Sequence, residues 1–105
     1  MHTVDTIMPE MMKLRVHIAP VGFEIDRVVI PAVEMKADKV YLLRHDNFSE
    51  DKSGPYLEKI AKILEKKNIP TKTIDVNRYM LFGIIRAVKE IIQSERDNDI
   101  YLNIA

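Results

Sequence analysis

Six consecutive or near-consecutive residues, Pro20, Val21, Gly22, Phe23, Glu24 and Arg27, have the types and spacing of a loop that faces a small polar ligand. Before them, Leu14, Val16 and Ile18 alternate with Arg15 and His17 in strand fashion. After them the chain enters an acidic first helical turn, Glu24-Ile25-Asp26. Gly22 can take a left-handed backbone and has no Cβ, so main chain can approach a bound group there. Helix amides starting near Phe23 point their positive dipole end into the same space. One glycine stands where a dinucleotide fingerprint has three, so the run is short of G-x-G-x-x-G. The same corner also serves as a plain turn from strand to helix.

Each residue near the corner carries two readings. Phe23 stacks on a base or caps the core beneath the first helix. Glu24 and Asp26 orient ribose hydroxyls or simply answer the helix dipole. Arg27 reaches a phosphate with its planar fork or pairs with Glu24 or Glu34. His17, in mid-strand between Val16 and Ile18, reads as a structural histidine rather than a base. His45 lies beside Arg44 and Asp46 at the end of the second strand and is a candidate ligand contact. Asn103, near the end of the fourth strand, hydrogen-bonds a base edge or holds the adjoining loop. His45, Asp46 and Ser49 are near in sequence, which does not make a triad, because nucleophile, base and orienting acid must converge in space. With no cysteine and three scattered histidines there is no thiol nucleophile and no metal-ligand spacing, and no cofactor or catalytic residue is implied.

The elements that position these residues follow from periodicity. The first helix carries Ile25, Val28, Val29 and Ala32, and Pro31 within it removes the bond to the Arg27 carbonyl and predicts a kink. Val40 to Leu43 is a continuous apolar strand of the kind buried on both faces. A polar loop, 44–54, leads to Pro55 in the first turn of a second helix with the stripe Leu57, Ile60, Ala61 and Leu64, closed by Asn68 and Pro70. Thr71 to Val76 is a more polar strand suited to an edge. The third helix carries Leu81, Ile84, Ile85, Val88, Ile91 and Ile92 on one stripe, with Arg86, Lys89, Glu90 and Glu95 outside it. Ile100 to Ala105 is the fourth strand.

The order βαβαβαβ predicts an α/β fold: a Rossmann-like three-layer sandwich with a parallel sheet of order 3-2-1-4, truncated after strand 4. Its topological switch falls between strands 1 and 4, and a ligand crevice belongs at their carboxyl ends. Residues 1–12 have no period and read as a flexible extension, and 13–105 as one domain.

Composition narrows the function classes. The chain has 105 residues, 47% of them hydrophobic, enough for one core. Sixteen basic residues balance sixteen acidic ones without a basic face, which argues against direct DNA binding by this chain. No apolar run approaches the roughly 20 residues of a membrane span, so no membrane partner and a cytoplasmic location are expected. Many Lys and Glu, a single glutamine (Gln93) and no Cys fit a thermophile's bias.

The run from Val16 to Val28, with Ala37-Asp38-Lys39-Val40-Tyr41-Leu42-Leu43 and Asn98-Asp99-Ile100-Tyr101-Leu102-Asn103, resembles the amino-terminal domain of archaeal regulators that join a CARF domain (CRISPR-associated Rossmann fold) to a winged helix-turn-helix. The likeness covers nearly all of 13–105. It implies a homodimeric sensor that binds a nucleotide second messenger of the cyclic oligoadenylate class, or a related nucleotide, across the two-fold axis. It links the chain to CRISPR-associated or transcriptional regulation. In that family a small Gly/Ser/Thr-rich loop ending in a basic residue follows strand 4. The expectation is therefore an N-terminal part of a longer protein, carrying half of the site, with Pro20, Val21, Gly22, Phe23, Glu24, Arg27, His45 and Asn103 as its ligand contacts. A ring nuclease that cleaves cyclic oligoadenylate, or a dimerisation module without ligand, are the alternatives.

Overall fold

Seven elements succeed one another in the order the hydrophobic pattern predicts: β1 (Arg15–Pro20), α1 (Asp26–Glu34), β2 (Lys39–His45), α2 (Gly54–Lys66), β3 (Thr71–Val76), α3 (Leu81–Ser94) and β4 (Asp99–Leu102). The structure, a computed structural model, describes residues 13–22, 24–45, 54–76 and 81–103, with the backbone alone at His45, Leu81 and Phe82. The strands form one parallel sheet of order β3-β2-β1-β4. Val16 of β1 stands opposite Lys39 on one side and Ile100 on the other.

Alternation along β1 and β2 divides the core between the two faces of the sheet. Ala19, Val40 and Leu42 pack with Val28 and Ala32 of α1 and with Leu57, Ile60 and Leu64 of α2. Val16, Ile18, Tyr41 and Leu43 face the other way, with Val76 and with Ile84, Ala87, Val88 and Ile91 of α3. These are the three layers of a Rossmann-like α/β arrangement. Both central strands are buried on both sides, as the unbroken run Val40 to Leu43 predicts. β3, with its polar Thr71, Lys72, Thr73 and Asp75, occupies one edge.

The helices on the first face end alike. Lys36 (φ 56°) and Asn68 (φ 62°) take left-handed backbone. At α1, Ala37 N–H donates to Ala32 O and Lys36 N–H to Val33 O. At α2, Ile69 N–H donates to Leu64 O and Asn68 N–H to Glu65 O. Both are Schellman motifs, with apolar partners Ala37–Ala32 and Ile69–Leu64 inside the same core.

Four expectations are corrected. The first helix starts at Asp26, with Ile25 as N-cap, and not near Phe23, because Glu24 and Ile25 are still completing the turn out of β1. The second strand extends through Arg44 and His45, whose backbone continues the ladder with Asp75 and Val76. The fourth strand is Asp99–Leu102, so Asn103 lies just past it, and 104–105 are outside the described residues. On α3 the apolar residues do not share one buried stripe: Ile91 is buried, whereas Ile85 and Ile92 are exposed, being too far around the helix to reach the sheet.

Glu95, expected on the outside, is 7% exposed. Its carboxylate accepts from Lys39 Nζ (2.7 Å), Tyr41 Oη (2.6 Å) and Asn98 Nδ2 (2.8 Å). The Lys39 ammonium first, and the Tyr41 hydroxyl next, hold the Glu95 carboxyl below its ordinary value, while Glu95 raises the Lys39 ammonium. Asn98 Oδ1 in turn accepts from Leu14 N–H, and Asp38 carboxylate from Arg15 N–H, closing the amino end of the sheet. No helix among the described residues is long and apolar enough to cross a membrane.

Candidate functional site

β1 and β4 are neighbours, and a cavity of about 260 Å³ opens at their carboxyl ends. Pro20, Val21, Gly22, Glu24, Arg27 and Asn103 line it together with Val28. These residues are separated by as many as 83 positions in the chain, and the β1–β4 pairing brings them together.

Local hydrogen bonds set the shape of the corner. Val21 N–H donates to Leu43 O (3.0 Å), which keeps the chain beside β2 one residue past the end of β1. Gly22 does not use left-handed backbone. A Cβ built on it would meet nothing within 4 Å. The glycine therefore leaves open space at the cavity wall; the turn itself does not require it. α1 then begins at Asp26 with no side-chain cap on its amides, and the acidic residue in its first turn complements the positive end of the helix.

Asn103 is the most constrained member of the group. It is 4% exposed, its N–H donates to Ile18 O (2.8 Å), and its side-chain Nδ2 donates to Arg27 O at 2.6 Å. In a regular helix the donor to Arg27 O is the N–H of residue 31, and Pro31 has none. Asn103 fills that gap, which joins the end of β4 to the first turn of α1. This side-chain bond of Asn103 goes to the backbone of α1, and not to a loop adjoining β4.

Arg27 is engaged at its other end as well. Its Nε lies 2.6 Å from Glu24 Oε2, with the two side chains 59% and 61% exposed. An ion pair so open to water contributes about 0–1 kcal/mol, so its partners can exchange for a ligand at small cost. Among the described residues Arg27 is the only basic side chain lining the cavity.

Phe23 lies outside the described residues, and so do Asp46 and Ser49. His45 ends β2, and its side chain is not among those described. Its neighbour Arg44 pairs with Asp75 (2.7 Å) across the β2–β3 edge. His17 is away from the cavity at the switch point. It is 3% exposed, its ring stacks at 4.7 Å on Tyr101 of β4, and burial lowers its pKa. It borders a second, more open hollow of about 450 Å³ with Arg15, Met35, Asp99, Ile100 and Tyr101. Among the described residues no three His, Cys, Asp or Glu side chains gather as a metal ion would require.

Val28 was not anticipated as a wall of the cavity. Its signal was present in the helical stripe, since a residue one turn into α1 faces both the sheet and the crevice.

MJ1513 of Methanocaldococcus jannaschii, described only as an uncharacterized protein, is 30% identical over 95 residues, which is 86% of this chain and 28% of MJ1513. The chain thus spans little more than a quarter of that relative. No solved structure matches it. The family model described as "HFX_2341_N:-like, N-terminal" matches residues 15–105, from the first residue of β1 past the cavity to the last residue of the chain, and the chain belongs to that family.

Proposed function

We propose that this chain is a CARF-type sensor domain and that the cavity between Gly22 and Asn103 receives part of a nucleotide second messenger of the cyclic oligoadenylate class. The observation that carries the reading is the position of the cavity. It opens where α/β sheets bind ligands, at the carboxyl ends of the strands flanking the switch point. The resemblance in the run from Val16 to Val28 supplies the ligand class.

Size supports a shared site. Pockets that enclose a drug-sized ligand run to about 300–1,000 Å³. A volume of about 260 Å³ holds one nucleoside-sized portion of a cyclic tetra- or hexanucleotide. Two copies of the domain related by a two-fold axis would present two such cavities to one ring. In this reading the output, CRISPR-associated or transcriptional, belongs to other parts of a longer cytoplasmic protein, and DNA is not contacted by this chain.

Calorimetric titration with cyclic tetra-adenylate and cyclic hexa-adenylate tests the proposal. Heat with one ligand per two chains is expected; absence of heat with both ligands overturns it.

A further inference from the structure

Charge at the cavity is arranged against its most obvious use. A nucleotide site needs donors for phosphate, yet the one basic side chain among the described lining residues, Arg27, is already held by Glu24 at 2.6 Å. The corner amide of Val21 is spent on Leu43 O, and the side-chain amide of Asn103 is turned to Arg27 O. Glu24 and Arg27 are the charged side chains among the described lining residues, and they cancel, so this end of the cavity offers a phosphate no net positive side-chain charge.

The same arrangement suits a hydroxyl. The ion pair uses Glu24 Oε2, and a carboxylate has two oxygens and about four acceptor positions. Arg27 meets the carboxylate at Oε2 and leaves acceptor positions on Glu24 open, while Asn103 holds the Arg27 carbonyl. Resting on the nucleotide reading above, we propose that Glu24 is the specificity-determining residue of this half-site: paired with Arg27 through one oxygen, it accepts a hydrogen bond from a ribose 2′-hydroxyl.

The test is discrimination between cyclic tetra-adenylate and its all-2′-deoxy counterpart, measured by calorimetry on the wild-type protein and on Glu24→Ala. Hydrogen bonds to charged groups contribute about 1.5–3 kcal/mol, so the wild type should favour the ribose form by about tenfold or more. In Glu24→Ala the preference should fall to about threefold or less. Affinity for the deoxy form should hold or rise, because Arg27 is released. Glu24 and Arg27 are well exposed, and retained binding of the deoxy form itself reports a folded variant. An undiminished preference in Glu24→Ala overturns the assignment and leaves the nucleotide reading standing. Failure of the wild type to bind either ring overturns both.

Discussion

Asn103 supplies the hydrogen bond that Pro31 withholds. Its Nδ2 donates at 2.6 Å to Arg27 O, the helical carbonyl whose regular donor would be the missing N–H of Pro31. The bond crosses from the end of β4 to α1, so the two walls of the cavity are fixed to each other through one proline's defect.

Asn103→Ala should cost about 1–3 kcal/mol in urea unfolding, the range for leaving a buried polar group unsatisfied. The partner experiment is Pro31→Ala, which restores an N–H four residues after Arg27. In that background Asn103→Ala should cost at least about 1 kcal/mol less. Equal costs in the two backgrounds would show that Asn103 acts on stability by another route.

Gly22→Ala separates folding from binding. Backbone at Gly22 is not left-handed and the new methyl meets open space. The melting temperature should hold or rise slightly, in keeping with about 0.4–1 kcal/mol gained from a stiffer unfolded chain. Because that methyl projects where the cavity wall is now bare, cyclic oligoadenylate binding should weaken severalfold in the same sample. A variant that loses stability and keeps full affinity contradicts both halves.

Acidification should reveal two separate groups. Burial lowers the His17 pKa, so its contribution is present above the ordinary value of 6.5 and is lost as pH falls below it. Glu95, lowered by Lys39 and Tyr41, contributes fully above its ordinary value of 4.5 and loses that contribution at still lower pH. Melting temperature against pH should therefore decline below about 6.5 and again below about 4.5. His17→Phe should flatten the first decline and Glu95→Gln the second. At the alkaline end Lys39 is raised, so its contribution is whole below the ordinary 10.5 and fades only above it.

Self-association should run through α3. Ile85 and Ile92 lie seven positions apart on one exposed stripe, 42% and 43% exposed. Sedimentation of the wild type should show dimer at tens of micromolar, and the double variant Ile85→Glu, Ile92→Glu should be monomeric. A wild type that stays monomeric at millimolar concentration removes the homodimer from the proposed function.

Much of the fold was legible because it depends on period. Val16 and Ile18 alternate, Leu57, Ile60 and Leu64 recur at helical spacing, and each pair of successive strands is joined by the helix-length crossover that parallel strands need. The crevice was legible for the same reason: once strand order is known, the loop at Pro20 and the end of β4 must meet. What period does not carry is pairwise geometry. Glu95 looks like any solvent-facing acid in the sequence, and nothing short of three dimensions brings Lys39 and Tyr41, over 50 positions away, onto its carboxylate. Likewise Pro31 announces an unbonded carbonyl, and only the folded chain names Asn103 as the donor. Which apolar residues of α3 face the sheet was not legible either, because a helix apolar around much of its circumference does not separate Ile91 from Ile85 and Ile92.

The twin helix endings at Lys36 and Asn68 have an evolutionary consequence. Each left-handed residue stands three positions before the strand it feeds, Lys39 or Thr71. Both joints are locked by paired backbone bonds and by apolar contacts within one core. A residue inserted there would turn every side chain of β2 or β3 to the opposite face. Length can therefore change cheaply only at the other end of the sheet, where chain leaves a strand for the next helix. That is the end that bears the cavity. Descendants of this fold are free to remodel the ligand rim, while the foundation beneath it admits almost no editing.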